Sequence, residues 1–214
     1  MHKAKEMVKR SYACEVRAEE EHAGRIHGLP IVYDSKTDIG GMFEEVIDRG
    51  ALDKADLTDV RFLVNHDMSG IPLARSRRNN GNSTMKLTHT EKGLEIDVDL
   101  DVENNPRAKE LYSAIKRGDV TGMSFCFGVN DESWENLESE YPTRHVKEIS
   151  TVIEVSAVTF PAYEDTSISA RDKTALGNAK EAVDTAKRNS LDKEEKEKRS
   201  QLELAKAKAL AKFI

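Results

Sequence analysis

Three side chains in this sequence could together activate a hydroxyl group for attack on a carbonyl carbon. Ser124 lies in a largely apolar run, His66 follows the short apolar run 60–64, and Glu154 stands in the apolar run 149–160. A serine hydroxyl is a weak nucleophile until a base accepts its proton, and the base works best when a third group orients it. Ser124, His66 and Glu154 have the side-chain types for these three roles in turn.

The alternation of residue types predicts how the two strands that carry Ser124 and Glu154 are oriented, because successive side chains of a strand point to opposite faces. Large apolar side chains share one face of the first strand: Met123, Phe125, Phe127 and Val129. Small side chains share the other face: Gly122, Ser124, Cys126 and Gly128. We expect the first face to pack into a core and the second to leave space above Ser124 for a substrate backbone.

In the second strand Glu154 shares its face with Val152, Ser156 and Val158. An unpaired buried carboxylate is unfavourable, so Glu154 needs a partner, and a histidine is a natural one. Each candidate also has an ordinary structural interpretation. Ser124 could be a small polar strand residue and His66 a satisfied hydrogen-bonding group, and Glu154 could neutralise Arg75 or Arg144. Residue types and spacing leave both interpretations open.

Composition and charge argue against several classes of protein. The formal net charge of −6 over 214 residues argues against a protein that coats nucleic acid. No run approaches the roughly 18 apolar residues of a membrane span. The charged start has no apolar segment after it, so we expect no secretion signal and an intracellular, reducing compartment.

Metal and cofactor motifs are also missing from the sequence. Cys14 and Cys126 are too few for a disulfide framework or a four-ligand zinc site. The sequence has no His-Glu-x-x-His motif and no glycine-rich phosphate loop. We therefore expect neither a metal nor a cofactor.

The predicted elements form a mostly β domain with a few helices, an α+β fold. Strands are predicted over 11–19, 26–33, 60–64, 83–90, 94–100, 123–129 and 149–160, with a hairpin between the fourth and fifth. A short helix is predicted over 41–50. A second helix is predicted to begin at Pro106 after an Asn105 cap and to end at Gly118. A polar loop is predicted around Trp134.

The charge distribution divides the chain near residue 170. Residues 171–214 contain 12 Lys/Arg and 8 Asp/Glu, net +4, whereas residues 1–170 contain 21 and 31, net −10. The second part has no proline or tryptophan and is rich in Ala, Lys, Glu and Leu, which is a strongly helical composition. We predict a folded domain over 1–170 and a charged helical or partly disordered tail over 171–214.

Three segments, in this order and spacing, resemble the prohead (procapsid maturation) serine proteases of tailed phages of the HK97 type. They are 65–67 (Asn-His-Asp), 122–125 (Gly-Met-Ser-Phe) and 154–163 (Glu-Val-Ser-Ala-Val-Thr-Phe-Pro-Ala-Tyr). The upstream segment 40–52 also resembles an early helix of that family. The likeness covers roughly residues 12–170. One departure is Cys126, where the family commonly has a glycine, and this side chain narrows the cleft beside Ser124.

This resemblance implies a serine endopeptidase in which Ser124 is the nucleophile, His66 the general base and acid, and Glu154 the orienting carboxylate. Glu148 is the alternative third member. It lies six residues from Glu154, an even spacing that predicts the same face of the strand for both side chains. The implied fold is a β-barrel similar to the herpesvirus assemblins.

The implied activity is cleavage of the major capsid protein, of scaffolding protein and of the protease itself. It would take place inside an assembling procapsid in the host cytoplasm. Self-association or capsid binding is expected, without nucleic acid or membrane partners. The alternative function is that of a non-catalytic, protease-like assembly or scaffolding factor.

Overall fold

The computed structural model describes residues 7–12, 16–19, 22–159 and 173–210. These residues form eleven strands, two α-helices and one short 3-10 turn. The strands are β1 (Met7–Tyr12), β2 (Val16–Ala18), β3 (Arg25–Val32), β4 (Lys36–Ile39), β5 (Phe43–Ile47), β6 (Arg61–Val64), β7 (Ala74–Arg75), β8 (Met85–Thr90), β9 (Gly93–Asp99), β10 (Gly122–Glu135) and β11 (Thr143–Val158). The helices are α1 (Pro106–Arg117) and α2 (Lys173–Leu210), and the 3-10 turn covers Arg77–Asn79.

The described strands form two open sheets. The larger sheet has the order β1-β10-β11-β5-β4, with β6 and β7 continuing from β11, and the smaller has the order β2-β3-β9-β8. The α+β class is thereby confirmed. The expected assemblin-like barrel is not confirmed, because hydrogen bonding does not close either sheet within the described residues.

The long hairpin of β10 and β11 organises the larger sheet. The first part of β11 pairs in parallel with β5, and its last part pairs in parallel with β6. A strand of 16 residues is long enough to carry both neighbours on one edge. Consequently the end of β11 lies between β6 and the start of β10 and pairs with both.

Apolar side chains of both sheets form one hydrophobic core. Met123, Phe125 and Phe127 are fully buried in it, together with residues of the smaller sheet such as Ile26 and Leu94. The prediction that the apolar face of this strand packs into a core is confirmed. The opposite face carries Ser124, which is also fully buried, so the expectation of open space above Ser124 is wrong.

Helix α1 and the β8–β9 hairpin follow their local sequence signals. The Asn105 side chain accepts hydrogen bonds from the backbone N–H groups of Arg107 (3.1 Å) and Ala108 (3.4 Å), and Gly118 ends the helix in the left-handed conformation. In the hairpin, a Cβ atom on Gly93 would lie 1.9 Å from the carbonyl oxygen of Ile31, so only glycine fits there. Both predictions are confirmed.

The predicted helix over 41–50 is wrong, and so is the early helix that the resemblance suggested there. The segment forms β5, which pairs with β4 on one side and β11 on the other. Phe43, Val46 and Ile47 are buried in this strand, and so is Glu45, which contacts Arg144. Partners distant in sequence thus override a local spacing of apolar residues that also fits a helix.

Two strand boundaries also differ from expectation. The predicted polar loop around Trp134 is wrong, since Trp134 lies in β10 with its ring 5.1 Å from the ring of Phe43. The aromatic contact and the pairing with β11 extend the strand beyond its apolar part. The strand predicted over 11–19 is instead divided between β1 and β2, which belong to different sheets.

Within the predicted tail, the described residues Lys173–Leu210 form the helix α2. Every side chain from 191 to 206 is exposed, whereas Ala179 near the start of the helix is buried. No described helix has both the length and the apolar character needed to span a membrane. The predicted boundary at 170/171, residues 160–163 of the third motif, and Cys14 lie outside the described residues.

Candidate active site

The three candidate side chains lie on adjacent strands of the larger sheet. Ser124 on β10 is directly opposite Ser156 on β11, and Ser156 is in turn opposite Leu63 on β6. Glu154 precedes Ser156 by two residues and therefore lies on the same face of β11. His66 follows the end of β6 and reaches back over this face.

An unusual backbone conformation turns the His66 side chain toward the sheet. Asn65 and His66 have φ angles of 50° and 58°, in the left-handed region that non-glycine residues rarely adopt. The Asn65 N–H donates to the carbonyl oxygen of Ala157 (3.0 Å), and its side-chain oxygen accepts from the backbone N–H (3.0 Å) and hydroxyl (3.2 Å) of Thr159. The His66 N–H donates to the hydroxyl of Ser156 (3.2 Å). These bonds hold the turn against β11.

The side chains form a continuous chain of short polar contacts. The Ser124 Oγ lies 2.5 Å from His66 Nε2, and His66 Nδ1 lies 2.6 Å from Glu154 Oε1. The hydroxyl of Ser156 donates to the second carboxylate oxygen, Oε2, at 2.5 Å. A neutral imidazole with its proton on Nδ1 fits this arrangement, because Nδ1 then donates to the carboxylate and Nε2 accepts from the serine hydroxyl.

The cluster is shielded from water. Ser124, Glu154 and Ser156 have no exposed surface, and the His66 side chain is 15% exposed. Electrostatic interactions are stronger where water is excluded, so the short contact between the Glu154 carboxylate and the imidazole holds the ring in place. Geometrically, the arrangement can transfer the proton of a serine hydroxyl to a histidine that a carboxylate orients.

The residues after His66 form a tight polar turn. The Asp67 carboxylate accepts hydrogen bonds from the hydroxyl of Ser69 (2.6 Å) and from the backbone N–H groups of Ser69 and Gly70 (3.1 Å each). Arg107 of α1 lies 3.6 Å from the same carboxylate. The Ser69 hydroxyl, followed by these N–H groups and by Arg107, holds the pKa of Asp67 below its usual value. These bonds hold the chain that follows His66 in a fixed turn.

The alternative carboxylate, Glu148, lies elsewhere. It contacts the ammonium group of Lys54 (2.8 Å) and the side-chain amide of Asn130 (2.9 Å). Several register shifts between β10 and β11 separate Glu148 from Glu154 and break the simple alternation along the strand. The two glutamates therefore have different surroundings despite their common parity.

The arginines considered as structural partners of Glu154 have other acidic partners. Arg75 binds Asp59 through Nε at 2.6 Å, and Arg144 binds Glu45 and Glu132. Cys126 is a buried cysteine whose position in β10 is opposite Glu154. Its backbone position places it two pairs along the sheet from Ser124.

Sequence reasoning assigned no role to Asn65 or Ser156, although both stand in the quoted motifs. The signal for Ser156 was the alternation that placed it on the face of Glu154. Asn and His adopt the left-handed conformation more often than most other non-glycine residues, and this weak signal for the turn at Asn65 and His66 was not used. Within the described ranges, no group of three or more His, Cys, Asp or Glu side chains is arranged to hold a metal ion.

Residues 12–181 match the family described as Caudovirus prohead serine protease. The chain belongs to this family. The resemblance noted in the sequence is thus confirmed, and the chain is a serine protease of the phage prohead type. No curated protein and no solved structure matches the chain in the other two comparisons. The family match includes all three strands that carry the polar cluster.

Proposed function

We propose that this chain is an endopeptidase that cleaves capsid and scaffolding proteins during procapsid maturation, with Ser124, His66 and Glu154 as its catalytic residues. The continuous contact from Ser124 Oγ through the His66 ring to Glu154 Oε1 is the observation that carries the proposal. Membership of the prohead serine protease family supports the same activity.

Each residue has a defined part in the proposed reaction. His66 Nε2 accepts the hydroxyl proton while Ser124 Oγ bonds to the carbonyl carbon of the scissile peptide. Glu154 stabilises the imidazolium that forms. The imidazolium then gives its proton to the leaving amine, the C–N bond breaks, and an acyl ester remains on Ser124. His66 next deprotonates a water molecule, which hydrolyses the ester and regenerates the serine.

Burial of Ser124 sets a condition on this reaction. Because the residue has no exposed surface, a peptide carbonyl reaches Oγ only after neighbouring residues move. The same burial favours the second candidate function, a protease-like assembly or scaffolding factor without catalysis. The two candidates differ in whether Ser124 reacts with a substrate.

The proposal extends to partners and place of action. The substrates are the major capsid protein, scaffolding protein and the protease itself, inside a procapsid in the host cytoplasm. Self-association or capsid binding brings the enzyme to them, without nucleic acid, membrane, cofactor or metal. A likeness to the assemblin barrel remains part of the proposal.

We also propose that residues 171–214 form an appendage to a protease domain at 1–170. The exposed stretch 191–206 of the helix, with Leu191, Leu202 and Leu204 more than half exposed, supports a role in docking on capsid or scaffold. Cleavage within the appendage would release the enzyme from that contact.

The test is co-expression of the full chain with the major capsid and scaffolding proteins of candidate tailed phages. We expect processed substrate and self-cleaved enzyme with the natural sequence, and neither with Ser124→Ala. Ser150→Ala is the matched control, because Ser150 lies in β11 and its hydroxyl has no hydrogen-bond partner within the described residues. Equal processing by Ser124→Ala would refute the assignment, and loss with Cys126→Ser alone would assign the thiol. Assembly of particles with no processing by any variant would favour the scaffolding function.

A further inference from the structure

The hydroxyl of Ser156 contacts two parts of the candidate site at once. It donates to Glu154 Oε2 at 2.5 Å and accepts the backbone N–H of His66 at 3.2 Å. Ser156 is fully buried, and it stands opposite Ser124 in the pairing of β10 with β11. One side chain therefore links the strand of the nucleophile, the orienting carboxylate and the backbone of the general base.

We propose that Ser156 is a positioning residue of the protease, a role that rests on the proposed function of Ser124, His66 and Glu154. The terminal torsion of a glutamate side chain has broad preferences, so a carboxylate held at one oxygen only can rotate. The bond from Ser156 fixes Oε2 and leaves Oε1 facing His66 Nδ1 at 2.6 Å. The carboxylate then holds the imidazole in the tautomer that can accept the Ser124 proton.

The second contact fixes the backbone of His66. Its φ angle of 58° is in a region that a residue with a Cβ atom occupies only when its surroundings enforce it. Asn65 is tied to Ala157 and Thr159 on the same strand, and the bond from His66 to Ser156 continues that set of contacts by one residue. Two consecutive residues of β11, Ser156 and Ala157, and Thr159 just beyond the strand thus hold the turn.

Removal of the hydroxyl has two direct consequences. In Ser156→Ala, Glu154 Oε2 loses its donor, and the partly buried N–H of His66 loses its acceptor. Misplacement of a catalytic group by about 1 Å can reduce a rate by about 100-fold. We expect the reaction of Ser124 with a fluorophosphonate to slow by about 10-fold to 100-fold, because proton transfer to His66 is needed as Oγ bonds to phosphorus and fluoride leaves.

The experiment compares labelling rates of the full-length chain and of four variants. Ser156→Ala should be slow, Ser156→Thr should regain most of the rate because it keeps the hydroxyl, and Ser150→Ala should equal the natural sequence. Ser124→Ala should not label and identifies the reacting residue. If Ser156→Ala does not fold, Ser156→Cys keeps a polar atom at the same position but with a larger size and a weaker donor, and we expect its rate to fall in the same direction.

A second measurement reads the position of the imidazole without any reaction. The proton shared by His66 Nδ1 and Glu154 should give a strongly downfield NMR signal, assigned by its loss in His66→Gln. We expect the signal to be lost or shifted in Ser156→Ala and retained in Ser150→Ala. Unchanged labelling and an unchanged signal in folded Ser156→Ala would overturn the proposal. Failure of the natural sequence to label Ser124 would instead count against the proposed function, and the NMR signal would still decide the role of Ser156.

Discussion

The β10–β11 hairpin carries a buried polar cluster toward each end, and the two clusters differ in what their partners can do. One, the His66 cluster, consists of His66, Ser124, Glu154 and Ser156. The other, the Arg144 cluster, consists of Arg144, Glu45 and Glu132. Each contains a glutamate with no exposed surface. In each, other side chains contact that carboxylate, as burial of a charge requires: His66 and Ser156 bind Glu154, and Arg144 binds Glu45.

The partner determines the chemistry. Arg144 donates to Glu45 (3.0 Å) and to Glu132 (2.8 Å), and its guanidinium lies 5.9 Å from the centre of the Trp134 ring. A guanidinium keeps its proton at any physiological pH, so this cluster holds fixed charges and ties β5 to the hairpin. A histidine gains and loses a proton between about pH 5 and 8. The same need for a buried partner thus yields an ion pair at one end and, at the other, the site for which we propose proton transfer.

The largest expected effect is loss of the proton acceptor in the His66 cluster. Replacement of His66 by Gln should reduce peptide cleavage and fluorophosphonate labelling by about 10⁴-fold to 10⁶-fold, since the Ser124 hydroxyl then has no base. Thermal unfolding should stay close to that of the natural sequence. An active His66→Gln variant would show that the His66 cluster, like the Arg144 cluster, has only a structural role.

Removal of the orienting charge should have the next largest effect. Glu154→Gln keeps the shape of the side chain but can present an amide N–H to His66, which favours the wrong tautomer. We expect a loss of about 10³-fold to 10⁴-fold in cleavage rate. Glu148→Gln is the control, because its contacts are with Lys54 and Asn130. A larger loss in Glu148→Gln than in Glu154→Gln would reverse the assignment of the third residue.

Mutation of the Arg144 cluster should lower the stability of the protein and leave the reactivity of Ser124 nearly unchanged. Arg144→Met removes the guanidinium beside buried Glu45 and should lower the free energy of unfolding by about 3–5 kcal/mol. The labelling rate of the folded fraction should remain within about threefold of the natural sequence, because mutations at distant independent sites change little in the site itself. Denaturant unfolding and labelling at low temperature measure the two quantities. Loss of labelling in fully folded protein would mean that the two clusters are coupled.

The smallest effect concerns the turn after His66. The Ser69 hydroxyl and nearby N–H groups lower the pKa of Asp67 below its unfolded value of about 3.9, so its contribution to stability is present above that pH and is lost as pH falls through the folded pKa. Asp67→Asn should therefore be less stable than the natural sequence at neutral pH, and the difference should shrink in acid. Urea midpoints at several pH values test this. A difference that is constant with pH would show that the charge of Asp67 does not stabilise the turn.

The sequence contained local signals for some parts of the fold and none for others. Helix α1 could be predicted because Asn105, Pro106 and Gly118 act on their immediate neighbours. Strand β5 could not, since its burial depends on β11 and on an ion pair between Glu45 and Arg144, 99 positions apart in the chain. A local pattern of apolar residues cannot represent such a partner.

In the candidate site, too, some features could be predicted from local residue types and others depend on residues distant in the chain. The residue types and motifs identified Ser124, His66 and Glu154, and the structure brings the three side chains together. The left-handed turn at Asn65 and His66 carries no glycine that would have marked it. The separation of Glu154 from Glu148 depends on shifts of register in β11, which follow from pairing with β10 and are not visible in the spacing of the two glutamates.

The most direct test of the central claim is to map where a fluorophosphonate bonds to the full-length chain. The protein is treated with the reagent, digested and analysed by mass spectrometry, in parallel with His66→Gln. A single adduct on Ser124 that is nearly absent in the variant is the result that the account predicts, because only the hydroxyl paired with His66 is activated. An adduct on Cys126 or on another hydroxyl, or equal labelling of Ser124 without His66, would contradict it.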